Sequence, residues 1–277
     1  MDSRAIGIFD SGFGGLTAAR EVMSLAPTED IVFFGDNARI PYGTKTASII
    51  TKYSLQDISF LLSQDVKLII AACGTVSSTL SEEYAKRVPV PYITVVEPTA
   101  RAAARATKNK KIGILGTHAT VRSGAFKNAL LRLDGEVETV SVACPLFVPL
   151  VENGYIQRDC EITRLAAAEY LAPLMAAGVD TVILGCTHYP LIKDIISDLM
   201  GENVTLIDSG YETAKFALEL LSENGLENTN GGARHFFTSD NAEDFSSLGG
   251  LFMGGALCGG ADTVAIESVP VNPLLIK

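Results

Sequence analysis

The chain has 277 residues, of which 47% are hydrophobic, and it carries a formal net charge of −10. This length suits one large domain or two modest ones, and the high apolar content excludes a disordered chain. The acidic balance argues against a general nucleic-acid binder, and it means that an anionic substrate would need dedicated local hydrogen-bond donors.

Strands and helices alternate along the first hundred residues. Strands are expected at 5–9, 31–34, 68–72 and 92–96, with helices at 16–24, 46–63 and 78–87. A glycine-rich turn from Asp10 to Gly15 follows the first strand, and a polar loop from Gly35 to Thr44 follows the second. This order predicts an α/β fold built on mostly parallel sheets.

The second half of the chain repeats this pattern. Gly113 stands in a strand-like run similar to the one around Gly7, and Cys186 follows an apolar run as Cys73 does, at nearly the same spacing. These matches predict two similar open α/β halves. Further strands are expected at 111–115, 138–142, 181–184 and 204–207, with helical segments at 149–177, 190–200 and 212–223. The segment 264–277 has no clear assignment.

Two of the apolar runs end at a cysteine. Cys73 follows the run at 68–72, and Cys186 follows the run at 181–184. Continuous apolar runs of this length are typical of buried parallel strands. Ligands of open α/β sheets bind at the carboxyl ends of such strands. We therefore expect both thiols to face one cleft.

The other cysteines and the chain start suggest a cytoplasmic protein. The five cysteines are odd in number, widely spaced and without a CxxC motif, which disfavours a disulfide scaffold or a structural zinc site. Cys144, Cys160 and Cys258 follow no strand-end pattern, so we interpret them as core or incidental thiols. No signal peptide is evident and no apolar run approaches the length of a membrane span. No metal and no membrane partner are expected.

Two thiols across a cleft suit one type of reaction. Inverting a carbon that bears an acidic hydrogen requires a base on one face and an acid on the other, and the roles exchange in the reverse direction. A helix N-terminus after each cysteine would favour the thiolate. His188 adjoins the second thiol region and could orient or deprotonate Cys186. A single-face hydrolase would instead need one nucleophile with a nearby histidine.

The sequence resembles the glutamate racemase family of the aspartate/glutamate racemase superfamily. The resemblance runs from residue 6 to about 245 and rests on several motifs in a fixed order. These are GIFDSGFGG at 7–15, GDNAR at 35–39, PYG at 41–43, ACGT at 72–75, VENG at 151–154, GCTHYP at 185–190 and FTSD at 237–240 with Phe245. Motifs this long and in this order are specific.

The resemblance implies a racemase that interconverts L- and D-glutamate without a cofactor and supplies D-glutamate for peptidoglycan. It implies that Cys73 and Cys186 are the two catalytic bases. Asp10 would assist Cys73, whereas Glu152 and His188 would assist Cys186. The implied substrate contacts are Asp10, Ser11, Pro41, Tyr42, Gly43, Gly74, Thr75, Thr117, Thr187 and His188.

The resemblance also implies a domain organisation. Two α/β domains would face each other across an active-site cleft, the first formed by 1–97 with 208–277 and the second by 98–207. A homodimer is expected, with glutamate as the small-molecule partner. Gly74 departs from the family, which usually has Asn there. Glycine keeps the backbone N–H but removes a side chain that could hydrogen-bond to the substrate.

Three other functions stay open at this point. The nearest is a racemase of the same superfamily that acts on aspartate or another amino acid, and Gly74 is the residue that favours it. A one-thiol decarboxylase or hydrolase would leave Cys186 without a role. A non-catalytic protein that closes two lobes on a small anion would not depend on either thiol.

Overall fold

The computed structural model describes residues 2–255, 257 and 259–276 of the chain. These residues form two separate parallel sheets with helices packed around them, so the predicted α/β class with two similar halves is confirmed. Within the described ranges, no helix is long and apolar enough to cross a membrane. Cys258, interpreted above as core or incidental, lies outside the described residues.

The strands alternate with helices as the sequence predicts. In chain order the strands are β1 (Ile6–Asp10), β2 (Ile31–Gly35), β3 (Leu68–Ala71), β4 (Tyr92–Thr94), β5 (Lys111–Gly116), β6 (Glu138–Ala143), β7 (Thr181–Leu184), β8 (Thr205–Asp208), β9 (Arg234–Thr238) and β10 (Asp262–Thr263). The helices are α1 (Leu16–Leu25), α2 (Ala47–Ser63), α3 (Gly74–Thr79), α4 (Glu82–Ala85), α5 (Val96–Ala106), α6 (His118–Ser123), α7 (Ala125–Leu133), α8 (Phe147–Glu152), α9 (Glu161–Ala177), α10 (Lys193–Met200), α11 (Ser209–Glu223), α12 (Ala242–Met253) and α13 (Pro273–Ile276).

Each sheet contains only parallel neighbours. The first has the order β10-β9-β2-β1-β3-β4, and the second has the order β6-β5-β7-β8. Every residue of β1, β2, β3 and β7 is buried. Helices cover both faces of a parallel sheet, which is why these strands are continuous apolar runs.

The chain leaves the first sheet after β4 and returns to it with β9, so β5 to β8 all belong to the second sheet. Helix α11 packs against α1 of the first half and α5 of the second. This strand membership supports the division into 1–97 with 208–277 and 98–207, which we retain as a proposal.

The register of the strands determines where their carboxyl ends lie. Asp10 pairs with Gly35, and Phe9 pairs with Ala71. Asp10 therefore ends its strand at the same sheet edge as Cys73, two residues beyond β3. Polar residues follow the apolar strands at this carboxyl-terminal end of the sheet, where ligands of such folds bind.

The segment after β3 differs from its prediction. A single helix at 78–87 was expected, but the structure has two short helices, α3 and α4, separated by Leu80 and Ser81 in extended conformation. Ser81 precedes two acidic residues, Glu82 and Glu83, and this arrangement favours a new helix start. Helix α3 begins at Gly74, so the thiol before it stands at the helix N-terminus.

Candidate active site

A cavity of about 390 Å³ lies between the carboxyl ends of the two sheets. Twelve of the thirteen residues predicted for the site line it: Ser11, Pro41, Tyr42, Gly43, Cys73, Gly74, Thr75, Thr117, Glu152, Cys186, Thr187 and His188. The thirteenth, Asp10, is 1% exposed and lies behind the lining. The structure thus brings the two thiols, which follow strands of different sheets, to one cavity.

Cys73 forms the wall contributed by the first sheet. Its thiol is buried and donates a hydrogen bond to Oγ of Ser11 at 3.3 Å. Burial raises the pKa of Cys73 to about 12, and the charge of Asp10 acts in the same direction. A helix start after Cys73 was expected to favour the thiolate, but desolvation outweighs the helix here. The free thiol is therefore the resting form on this wall.

Asp10 lies at the boundary between the two halves. Its carboxylate accepts hydrogen bonds from the Gly12 N–H at 3.0 Å and from the Thr187 hydroxyl of the other half at 3.5 Å. Burial raises the pKa of Asp10, although the positive charge of His188 opposes that shift. The carboxylate is thus hydrogen-bonded to one residue from each half of the chain.

Cys186 and its neighbours form the opposite wall. The Cys186 sulfur and Nδ1 of His188 lie 3.8 Å apart, and Nε2 of the same ring lies 2.9 Å from Oε1 of Glu152. Burial alone would lower the pKa of His188, but its contacts with Cys186 and Glu152 raise it to about 10. The imidazole therefore carries a positive charge beside the sulfur at neutral pH.

A residue of the C-terminal segment 234–276, which we call the tail, packs against that histidine. The ring of Phe252, on α12, packs edge-on against His188 with the ring centroids 5.1 Å apart. Phe252 is fully buried. The sequence offered no signal for this contact, because the two residues meet only when the tail returns to the first half.

The two walls touch each other through small residues. A Cβ atom added to Gly74 would overlap the backbone oxygen of Gly185, the residue before Cys186. The hydroxyls of Thr75 and Thr117 are hydrogen-bonded across the cavity at 3.0 Å. The absence of a side chain at position 74 thus permits direct backbone contact between the segments that carry the two thiols.

The glycine-rich turn after β1 makes a second contact between the halves. A side chain on Gly14 would overlap the Thr187 hydroxyl and the ring of His188. The hydroxyl of Thr17, in the first turn of α1, lies 2.9 Å from the Thr187 carbonyl oxygen. This turn therefore packs directly beneath the residues that follow Cys186.

Cys144 requires a correction. It was interpreted as a thiol with no strand-end pattern, but it directly follows β6, is 1% exposed and lines the cavity. Its strand was predicted to end one residue too early. Because β6 is an edge strand in which no residue is fully buried, its apolar signal is weak. A cysteine after a strand was the signal that could have identified it.

Other cavity residues were not predicted to belong to the site, although Gly12 lies within the motif at 7–15. Besides Cys144, those that sequence reasoning missed are Gly12, Ile40, Thr44, His118, Pro145, Val148 and Pro149. In the described part of the chain, no group of three His, Cys, Asp or Glu side chains could hold a metal ion. The groups available for chemistry in the cavity are the thiols of Cys73, Cys144 and Cys186, hydroxyls, backbone N–H groups, the His118 imidazole and the Glu152–His188 pair.

Sequence comparison relates the chain to known enzymes. The model of the Asp/Glu/Hydantoin racemase family matches residues 17–217. The chain is 45% identical to the glutamate racemase of Geobacter metallireducens over 270 residues, covering 97% of this chain and 99% of that protein. It is 42% identical to the glutamate racemase of Neisseria meningitidis over 254 residues, covering 91% and 93%.

Solved structures show the same relationship. Glutamate racemase from Francisella tularensis in complex with D-glutamate superposes with a TM-score of 0.88 at 36% identity, covering 97% of this chain and 100% of that chain. A glutamate racemase isoform from Bacillus anthracis superposes with a TM-score of 0.91 at 33% identity, covering 98% and 100%. The architecture is therefore shared along nearly the whole chain.

Proposed function

This chain belongs to the Asp/Glu/Hydantoin racemase family, and we propose that it is an amino-acid racemase that interconverts L- and D-glutamate without a cofactor. The names of its relatives support glutamate as the substrate. The observation that carries the proposal is that Cys73 and Cys186, held by different sheets, line one cavity. A reaction that removes a proton from one face of a carbon and returns one to the other needs this pair.

The two thiols differ in what surrounds them. Cys73 retains its proton, because its pKa is about 12 in the buried site, and it is therefore equipped to act first as an acid. Cys186 has the protonated His188 beside it, so negative charge on its sulfur is compensated. In one direction Cys186 would remove the Cα proton while Cys73 delivers one. The reverse reaction exchanges these roles.

Three acidic or basic side chains assist the thiols in this proposal. Asp10 adjoins both walls and would influence the protonation of Cys73. Glu152 holds the His188 ring through its Nε2 atom, which leaves Nδ1 facing the Cys186 sulfur. A ring held at both nitrogens keeps the orientation that proton transfer requires.

The substrate carboxylates would be bound by local donors, since the chain as a whole is acidic. We assign this role to hydroxyls and backbone N–H groups that line the cavity and carry no charge of their own. These are Ser11, Pro41-Tyr42-Gly43, Gly74, Thr75, Thr117 and Thr187. The cationic His188 would lie near Cα, and the negative charge of Asp10, behind the lining, would attract the substrate amino group. Proline contributes only its carbonyl and its shape.

We further propose that the D-glutamate supplies peptidoglycan synthesis in the cytoplasm and that the protein acts as a homodimer. The names of its relatives, glutamate racemases, support the supply of D-glutamate. Exposed apolar side chains on α9, Ile162 and Leu165, are candidates for a subunit contact. Sedimentation of the purified protein would test the dimer.

Substrate identity can be tested with the purified chain. Each enantiomer of glutamate, aspartate and several other amino acids is incubated separately, and loss of circular dichroism at a fixed wavelength is followed. Both glutamate enantiomers should lose their signal, and aspartate should keep its signal. Racemisation of aspartate but not of glutamate would refute the substrate assignment. Cys160→Ser serves as the control, because Cys160 is a partly buried residue at the N-cap position of α9, outside the cavity.

A further inference from the structure

A buried polar cluster lies beneath the loop that forms one side of the cavity. It consists of Asp36, Arg39, Tyr42, Gln56 and Asp57, which we call the Arg39 cluster. Each side chain is less than a tenth exposed. Of these residues only Tyr42 lines the cavity, and the tyrosine as a whole is 1% exposed.

Arg39 is bound on three sides. Its Nε atom donates to Oδ2 of Asp36 at 2.6 Å, and its two terminal nitrogens donate to Oε1 of Gln56 at 2.6 Å and to Oδ1 of Asp57 at 2.9 Å. The guanidinium also stacks on Tyr53, 4.1 Å from the ring centroid. A planar donor group satisfied in this way is rigid.

The Tyr42 hydroxyl joins the two carboxyl groups. It lies 3.1 Å from Oδ2 of Asp57 and also contacts Oδ2 of Asp36. Burial raises the pKa of Asp57 well above its usual range, and the charge of Asp36 adds to that effect. One guanidinium thus faces two buried carboxyl groups, and a proton retained on Asp57 balances the charge.

The cluster holds the loop that faces the cavity. Residues 40–44 line the cavity, while the Tyr42 hydroxyl is hydrogen-bonded within the cluster. At Gly43 a side chain would lie 2.9 Å from Cβ of Thr117, so the loop packs closely on the second half. A displacement of Tyr42 would therefore move backbone that touches both the cavity and Thr117.

The tail closes the cluster from the other side. Nε2 of Gln56 donates to the carbonyl oxygens of Ile266 and Val269, at 3.4 and 3.3 Å. Glu267 lies 3.7 Å from Arg39. The segment whose role was unassigned from the sequence thus packs over a cluster that supports the cavity.

We propose that Asp57, which does not line the cavity, is a positioning residue that holds the loop 40–44 for the substrate through Tyr42 and Arg39. The inference rests on the proposed function only for the identity of the ligand. Asp57 on α2 and the tyrosine hydroxyl form one unit. Removing either should loosen the same loop while leaving both thiols in place.

The test compares Tyr42→Phe, Asp57→Ala and Asp57→Asn with the parent enzyme. KM and kcat are measured for both glutamate enantiomers, and the Kd for D-glutamate is measured by calorimetry. Tyr42→Phe and Asp57→Ala should raise KM and Kd about tenfold, with a smaller change in kcat, as expected for a lost positioning hydrogen bond. Asp57→Asn keeps an acceptor for Arg39 and should recover most of the affinity.

The matched control is Tyr84→Phe. Tyr84 lies on α4, outside both the cavity and the Arg39 cluster, so removal of its hydroxyl should leave KM and Kd unchanged. A purely structural role for the cluster would reduce the folded fraction without changing KM or Kd, and that result would overturn the inference. Parent protein that binds D-glutamate without turnover would overturn the proposed function instead. Parent protein that does not bind D-glutamate would overturn both.

Discussion

Nε2 of His188 lies 2.9 Å from Oε1 of Glu152, and Nδ1 of the same ring lies 3.8 Å from the sulfur of Cys186. The imidazole therefore connects a carboxylate to a thiol, with its raised pKa of about 10 reflecting both contacts. Because that value exceeds the ordinary pKa of 6.5, the protonated His188 stabilises the folded state, and this contribution is at its maximum below pH 6.5. This contribution disappears as the pH rises to about 10.

Replacing Glu152 with Gln should lower the pKa of His188, because the neutral amide no longer stabilises the imidazolium. The alkaline limb of the kcat/KM profile should move to lower pH, and activity at neutral pH should fall by about 10- to 100-fold. The chain has only three histidines, so the His188 resonance can be identified by NMR and titrated directly. An unchanged His188 titration in Glu152→Gln would contradict this account of the pair.

Replacing Asp10 with Asn should lower the pKa of Cys73. The charge of Asp10 acts with burial to raise that pKa to about 12, and the amide removes the charge but keeps an acceptor for the Gly12 N–H. In a Cys160→Ser background, alkylation of Cys73 by iodoacetamide should reach its half-maximal rate at a lower pH. Peptide mass spectrometry would distinguish Cys73 from Cys186. Equal pH midpoints in the two proteins would show that Asp10 does not act on this thiol.

Replacing Gly74 with Ala should separate the two walls of the cavity. The new Cβ would overlap the Gly185 carbonyl oxygen, which is backbone and cannot rotate away. A displacement on the order of 1 Å between catalytic groups can lower kcat/KM by up to about 10²-fold. Gly135→Ala is the matched control, because its Cβ would meet no atom within 4 Å. Full activity of Gly74→Ala would show that the segments carrying Cys73 and Cys186 can accommodate the new Cβ without a loss of catalytic geometry.

Replacing Lys67 with Met should destabilise the fold without changing the site. Nζ of Lys67 lies 2.6 Å from Oε2 of Glu29, and both side chains are buried at the amino end of the first sheet. Leaving Glu29 unpaired should cost about 3–5 kcal/mol in urea unfolding, with KM unchanged. Lys86→Met, at an exposed pair with Glu82, should change stability little. Equal losses in the free energy of unfolding for the two variants would show that burial does not determine what an ion pair contributes to stability.

Much of the fold could be predicted because the strands that carry the site are buried on both faces. Runs such as those of β3 and β7 are unmistakable, and the cysteines after them point to one sheet edge. Edge strands give weaker signals. The partly exposed β6 gave no clear indication of the position of Cys144. The inner strand β9 was not recognised either, because only two of its five residues are buried.

Long-range effects explain what the sequence could not predict at the site. The helix start after Cys73 suggested a thiolate, whereas burial and Asp10 together determine the opposite direction of its pKa shift. The contacts of Phe252 with His188 and of Gly74 with Gly185 depend on how the two halves meet. No local pattern encodes either contact.

Deuterium uptake at Cα in two single-thiol variants decides whether Cys73 and Cys186 act as opposing bases. Cys73→Ala and Cys186→Ala are each incubated in D₂O with pure L-glutamate and pure D-glutamate, and exchange is followed by NMR. Neither variant should racemise glutamate. Each should exchange the Cα hydrogen of one enantiomer only, and the enantiomer should differ between the two variants. Exchange of the same enantiomer by both variants, or racemisation at the parental rate by either, would contradict the two-thiol assignment.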